Sequence, residues 1–162
     1  NKPEQLLEQN SARFAGIFDV AAEYGLLNNV ELGLFIEENS YQFLGYDGTS
    51  WAPIANNPLF EVYTLPEGIE ISLQLDDLPI EEALLFDSSV LINEDEEDDF
   101  TEEEKKKKIP QVYMLSGGDI TPFSLTFSLA EFAFDGDENI SFKVSGIYTT
   151  PLTIEGPIVN AR

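Results

Sequence analysis

Apolar residues recur at helical spacing along the first 28 positions of the chain. Leu7, Phe14, Ile17, Phe18, Ala21 and Tyr24 stand three, four or seven residues apart, which gathers them on one stripe of an α-helix. Glu4, Glu8, Asp19 and Glu23 fall mainly off that stripe. Pro3 suits a first helical turn, where its missing N–H costs nothing. Asn28-Asn29 can end the helix by entering the left-handed region. The spacing predicts a helix over residues 3–28. Such a helix cannot bury its own stripe, so it needs a sheet to pack on.

After Asn29 the period falls to two. Val30, Leu32, Leu34 and Ile36 point one way, and Tyr41 and Phe43 continue the pattern, with Gly45 as a candidate next position, after a turn at Asn39-Ser40. Asp47-Gly48 is a second turn, and Trp51 opens a short apolar stretch that ends at Asn56-Asn57-Pro58. Leu65-Pro66-Glu67-Gly68 forms a tight turn into IEISLQL, whose Ile69, Ile71, Leu73 and Leu75 alternate. Residues 76–92 fit either a helical turn or a strand. Further on, QVYML, ITPFSLTFSLAEF, ISFKVSGIY and PLTIEG are strands. Ser116-Gly117-Gly118-Asp119 and Asp135-Gly136-Asp137 are turns between them, and Pro122 is tolerable near a strand start. The pattern predicts one domain over 1–162 of α+β class. An N-terminal amphipathic helix packs on an antiparallel β-sandwich-like body of about eight strands over 30–156.

Composition narrows what such a domain can do. The formal net charge is −23. The run EDEEDDFTEEEKKKK at 94–108, with nine acids and four lysines, supplies only −5 of it and leaves −18 on the rest. Such a surface repels phosphate backbones, which argues against nucleic acid as a partner, and it repels anionic membranes too. The chain has no Cys and no His, which removes thiol nucleophiles, the common general base and most transition-metal sites. No stretch approaches eighteen apolar residues, so nothing in this sequence spans a bilayer as a helix.

The remaining chemistry is that of carboxylates and hard cations, and each candidate has a plainer explanation. Asp135-Gly136-Asp137-Glu138-Asn139 spaces oxygen ligands like a calcium loop, but Ile140 and Gly146 stand where an EF-hand needs Gly and Glu. A solvated hairpin turn accounts for it. The acidic run has no Gly to converge six oxygens on a cation; it predicts an exposed, mobile surface loop at about 93–109. Carboxylate pairs are unavoidable among 31 acids, so no hydrolase follows from them. Trp51, Tyr41 and Tyr46 could stack on sugars, although aromatic residues near strand ends more often fill a core. No catalytic, metal or cofactor site emerges.

The order of the local motifs, however, resembles a family. Glu31-Leu32-Gly33-Leu34 follows the helix, then Tyr41-Gln42-Phe43, Trp51 after a short turn, Leu65-Pro66-Glu67-Gly68, and late in the chain Ser116-Gly117-Gly118-Asp119-Ile120-Thr121-Pro122-Phe123. These resemble the minor pseudopilins of the GspH/FimT family, above all the H-type subunit of bacterial type II secretion. The last motif has one residue more between Gly117 and Thr121 than the family pattern. The family's N-terminal Gly-Phe-Thr-Leu-Leu-Glu processing motif is absent from this sequence, so the resemblance implies the globular domain of a longer protein.

What the resemblance implies is a pseudopilin fold and a structural, non-enzymatic subunit of the secretion pseudopilus. The implied place is the periplasm, with an inner-membrane anchor on a preceding helix absent from this chain. The implied partners are the major and minor pseudopilins, with secreted substrate or the outer-membrane channel beyond them. It also gives the helix a second meaning, with Leu7, Phe14 and Phe18 as candidate partner contacts. Their periodicity favours packing within the chain instead. The alternatives are a minor pilin of a type IV pilus and a carbohydrate- or calcium-binding β-sandwich module.

Overall fold

The computed structural model of the chain describes residues 2–75, 107–130 and 138–161. The undecided segment 76–92, the body of the charged run at 94–106 and the turn Asp135-Gly136-Asp137 lie outside the described residues.

Helix α1 runs over Lys2–Asn28 and buries Leu7, Asn10, Ser11, Phe14, Ala15, Ile17, Phe18, Ala21 and Gly25, a stripe of period three to four. The two polar residues within the stripe satisfy themselves. Asn10 Nδ2 donates to the Leu6 carbonyl at 2.9 Å and Asn10 Oδ1 accepts from the Tyr63 hydroxyl at 2.8 Å. Ser11 Oγ donates to the Glu8 carbonyl at 2.9 Å. The predicted stop is found at Asn29, whose φ of 55° is left-handed. Val30 N then donates back to the Gly25 carbonyl at 3.0 Å, the six-to-one bond of a Schellman cap. Gly25 is required there, because a Cβ would stand 2.8 Å from the Val30 carbonyl oxygen.

The strands are β1 (Leu32–Ile36), β2 (Ser40–Tyr46), β3 (Trp51–Pro53), β4 (Tyr63–Thr64), β5 (Ile69–Leu75), β6 (Val112–Met114), β7 (Ile120–Leu129) and β8 (Glu138–Ala161), with a 3-10 turn at Pro58–Phe60. Together they form one antiparallel eight-stranded sheet along the path β3-β2-β1-β6-β7-β5, with β4 on β2 and β8 on β7. β7 is the pivot of the fold. β8 occupies one of its edges from Ile120 to Ser128, so β5 and the tip of β6 share the other edge end to end. A register shift between Ile120 and Phe123 accommodates Pro122, which has no N–H for the ladder.

Register places the core. Leu73, Leu125 and Val144 align across β5, β7 and β8, and so do Ile71, Phe127 and Phe142. The helix lays Phe14 and Phe18 onto this face, with ring centroids 5.8 Å from Phe127 and 5.3 Å from Phe123 respectively. Leu32, Leu34, Tyr41 and Phe43 continue the same core on β1 and β2.

The sequence pattern separates ISFKVSGIY from PLTIEG, whereas in the structure both lie within β8. The chain nevertheless folds back. A Cβ added at Gly146 would meet Leu152, and one at Gly156 would overlap Phe142, pairings symmetric about Thr149. Tyr148 takes a φ of 65° at this reversal. The returning arm reaches α1, where Leu152 N donates to Asp19 Oδ1 at 3.2 Å.

Candidate functional site

The three helix residues proposed from sequence as partner contacts, Leu7, Phe14 and Phe18, are each 0% exposed and packed in the chain's own core. Truncating either Phe would cost roughly 3–5 kcal/mol, comparable to the lower end of a whole domain's stability of about 5–15 kcal/mol. The exposed apolar side chains of the helix are instead Val20, Leu26 and Leu27, of which Leu27 is 75% exposed. Tyr41, one of three aromatic residues with potential to stack on a ligand, is likewise a core residue. Its hydroxyl is enclosed with no hydrogen-bond partner among the described residues. Burial pushes that phenol far above the ordinary tyrosine range, and the charge of Arg13 offsets the shift only in part.

Trp51 and Tyr46 have the opposite fate. They are direct partners across β2 and β3, and their rings stand 5.1 Å apart. Trp51 also reaches Tyr113 on β6, at 5.6 Å. Between β3 and β6 lie β2 and β1, and Gly33 of β1 is a position over which the row passes. A Cβ there would overlap Pro110 and stand 3.2 Å from Trp51 Cζ3. The missing side chain thus makes the floor on which the indole lies. Tyr46 and Tyr113 remain 38% and 36% exposed, so the three rings form an open aromatic row on the sheet face opposite the helix. Burial of its remaining surface raises the Tyr113 phenol above its ordinary range.

Two turns frame this row. In the first, Asp47 Oδ1 accepts from Thr49 N and Ser50 N, both at 2.8 Å, and these bonds hold its carboxyl below the usual range. In the second, Glu31 accepts from Ser116 N at 3.0 Å and Ser116 Oγ at 2.6 Å, while its own carbonyl accepts from Tyr46 N at 2.9 Å. Gly118 supplies the left-handed φ of 102° that the turn requires. Leu115 N donates to the Asp119 carbonyl at 2.8 Å and closes it. Thr121 Oγ accepts from Tyr113 N at 2.9 Å. The Ser-Gly-Gly-Asp-Ile-Thr-Pro-Phe stretch is thus a folding unit: Ser116 is clamped, Gly118 turns, Thr121 pins β6, and Phe123 enters the core.

Between the row and this turn is a cleft of about 440 Å³, lined by the three rings, Glu31, Leu115, Gly117 and Asp119. A second cleft, of about 420 Å³, lies on the other side of the turn against the helix end and includes Asp19, Glu23, Leu26 and Pro151. Reading the sequence for aromatic ligands pointed to Trp51 and Tyr46 but passed over Tyr113 and Glu31. The signal for Tyr113 was parity: Val112 and Met114 face the core, so the residue between them faces out.

The far end of the same sheet face meets the charged run. Lys107 is exposed, but Lys108 lies partly buried. Its Nζ donates to the buried Gln42 side chain at 2.5 Å and sits 5.5 Å over the Phe35 ring. Gln111 then joins β1 through its side-chain amide, which accepts from Ile36 N at 2.9 Å and donates to the Ile36 carbonyl at 2.8 Å. The end of the run is therefore anchored, where the sequence pattern predicts a free loop to residue 109. Among the described residues no group of three or more carboxylates is arranged to hold a metal ion. No described helix is long and apolar enough to cross a membrane.

No family model matches the chain. Among curated proteins it is similar to Type II secretion system protein H of Pseudomonas aeruginosa, at 32% identity over 121 residues, covering 74% of this chain and 61% of that protein. The chain thus corresponds to about three fifths of its relative. Among solved structures it resembles the minor pseudopilin EpsH of the Vibrio cholerae type 2 secretion system, with a TM-score of 0.63 at 21% identity over 94% of this chain and 96% of that one. The solution structure of E. coli GspH matches with a TM-score of 0.55 at 19% identity, over 93% and 92% of the two chains.

Proposed function

We propose that the chain, similar in sequence to a type II secretion protein H and in fold to the minor pseudopilin EpsH, is a GspH-type pseudopilin that serves as a structural subunit of the type II secretion pseudopilus. It assembles there with other pseudopilins near the tip, in the periplasm, to support export of folded proteins. It performs no catalysis. The observation that carries this reading is the 32% identity to a type II secretion protein H. The fold shared with the minor pseudopilin EpsH supports it.

The surfaces that remain free after folding suit assembly. The helix offers Val20 and Leu27 outward, and the turn after β6 offers Leu115. Exposed apolar side chains on an otherwise strongly acidic body are the ordinary means by which such a domain finds partners. A pull-down with the periplasmic domains of the other pseudopilins from the same secretion system tests the proposal. Capture of at least one, weakened by Leu27→Glu, is expected. Capture of none would overturn it.

A further inference from the structure

We propose that the cleft over Trp51 is a receptor for a basic side chain, an arginine above all, presented by a partner protein. The inference deepens the assembly reading by naming the chemistry of one contact. Three observations converge on it. First, the cleft offers three adjacent aromatic rings with their faces partly open, in a row held by β-sheet register and by Gly33. Such faces attract cations, and a planar guanidinium stacks on them better than an ammonium does. Second, the charged residues of its lining are Glu31 and Asp119, both acids, and no basic residue lines it. The Glu31 carboxylate is engaged with Ser116 and contributes charge, while Asp119 is exposed at the rim and free to accept N–H donors.

Third, the chain already uses this arrangement for its own cations. Arg13 stands 4.3 Å over the Tyr63 ring, and Lys108 stands over Phe35 on the same outer face as the cleft. The Trp51 row has no cation of this kind from the described residues lining it. With a net charge of −23 around it, the site draws positive groups and repels negative ones. A neutral sugar could stack on the same rings, but it would gain nothing from the surrounding negative charge, which favours a cation.

Trp51 is the sole tryptophan of the chain, so its fluorescence reports on the cleft directly. The experiment titrates the folded domain at low salt with acetyl-Gly-Arg-Gly-amide. The matching citrulline peptide has nearly the same shape without the charge, and a neutral oligosaccharide serves as a further probe. A saturable change with the arginine peptide is expected, with Kd on the order of millimolar. Citrulline should weaken it about fivefold or more, as should Asp119→Asn, whose backbone role in the turn is unaffected. No saturable change with arginine, equal binding of the citrulline peptide, or preference for the oligosaccharide would overturn the proposal. The titration involves no second pseudopilin, so its failure leaves the pull-down result to decide the assembly reading separately.

Discussion

Gly33 does more for this molecule than its size suggests. It sits in β1 between two buried leucines, where a strand residue without a side chain ordinarily weakens the sheet. Here the vacancy is filled by Pro110 and the Trp51 ring, which meet over it. Gly33→Ala should cost roughly 1–3 kcal/mol, the range for overpacking a close-fitted site. It should also shift the Trp51 emission maximum, because the indole must lift. Chemical denaturation followed by fluorescence measures both effects. An unchanged midpoint with an unchanged spectrum would show that Pro110 and Trp51 yield freely. The glycine was visible in the sequence between Leu32 and Leu34 of an alternating run. What it made room for was not, because Pro110 and Trp51 arrive from distant parts of the chain.

Among the elements, the helix was the most legible. Its stripe, its start and its stop follow from spacing and end chemistry that operate within a few residues. Asn29 tests that account. Asn29→Gly should leave stability within about 0.5 kcal/mol, since Gly adopts positive φ freely. Asn29→Val should cost about 1–2 kcal/mol, because a β-branched residue in the left-handed region crowds its own backbone. Thermal melts of the two variants give the comparison, and equal losses would contradict the cap. β7 was legible as a long strand, yet its sharing among β5, β6 and β8 was not. Alternation tells which face a side chain takes but says nothing of which strand lies on either edge. The assignment of Leu7, Phe14 and Phe18 shows the same limit. Periodicity placed them on one stripe and favoured packing within the chain, but only the fold showed that β7 receives Phe14 and Phe18.

For the molecule as a whole, charge is the governing property. The 31 acids against eight bases repel one another, and added salt screens that repulsion. Asp19 adds a local component. Its partial burial against the returning arm raises its pKa, and the bond from Leu152 N opposes the shift without cancelling it. A carboxyl whose folded pKa is raised binds its proton more tightly in the folded state, so stability falls as pH rises through that pKa. The ionised form is therefore a net cost at neutral pH, relieved on acidification. Asp19→Asn keeps an oxygen for Leu152 N and should melt higher than the parent at pH 7. The difference should vanish once both proteins are below the ordinary aspartate range. A variant less stable at pH 7 would mean that the charge on Asp19 strengthens its bond to Leu152.

The residue order was enough to establish the helix and its cap, the main turns, most strands, the acidic body without thiol or imidazole chemistry, and the family resemblance. All of these rest on interactions between near neighbours or on sums over the chain. The three-way sharing of β7, the aromatic row, the clamp from Glu31 to Ser116 and the seating of Lys108 on Phe35 came only with the folded chain. Each joins residues far apart in sequence, and their meeting depends on register and loop closure that no local pattern encodes.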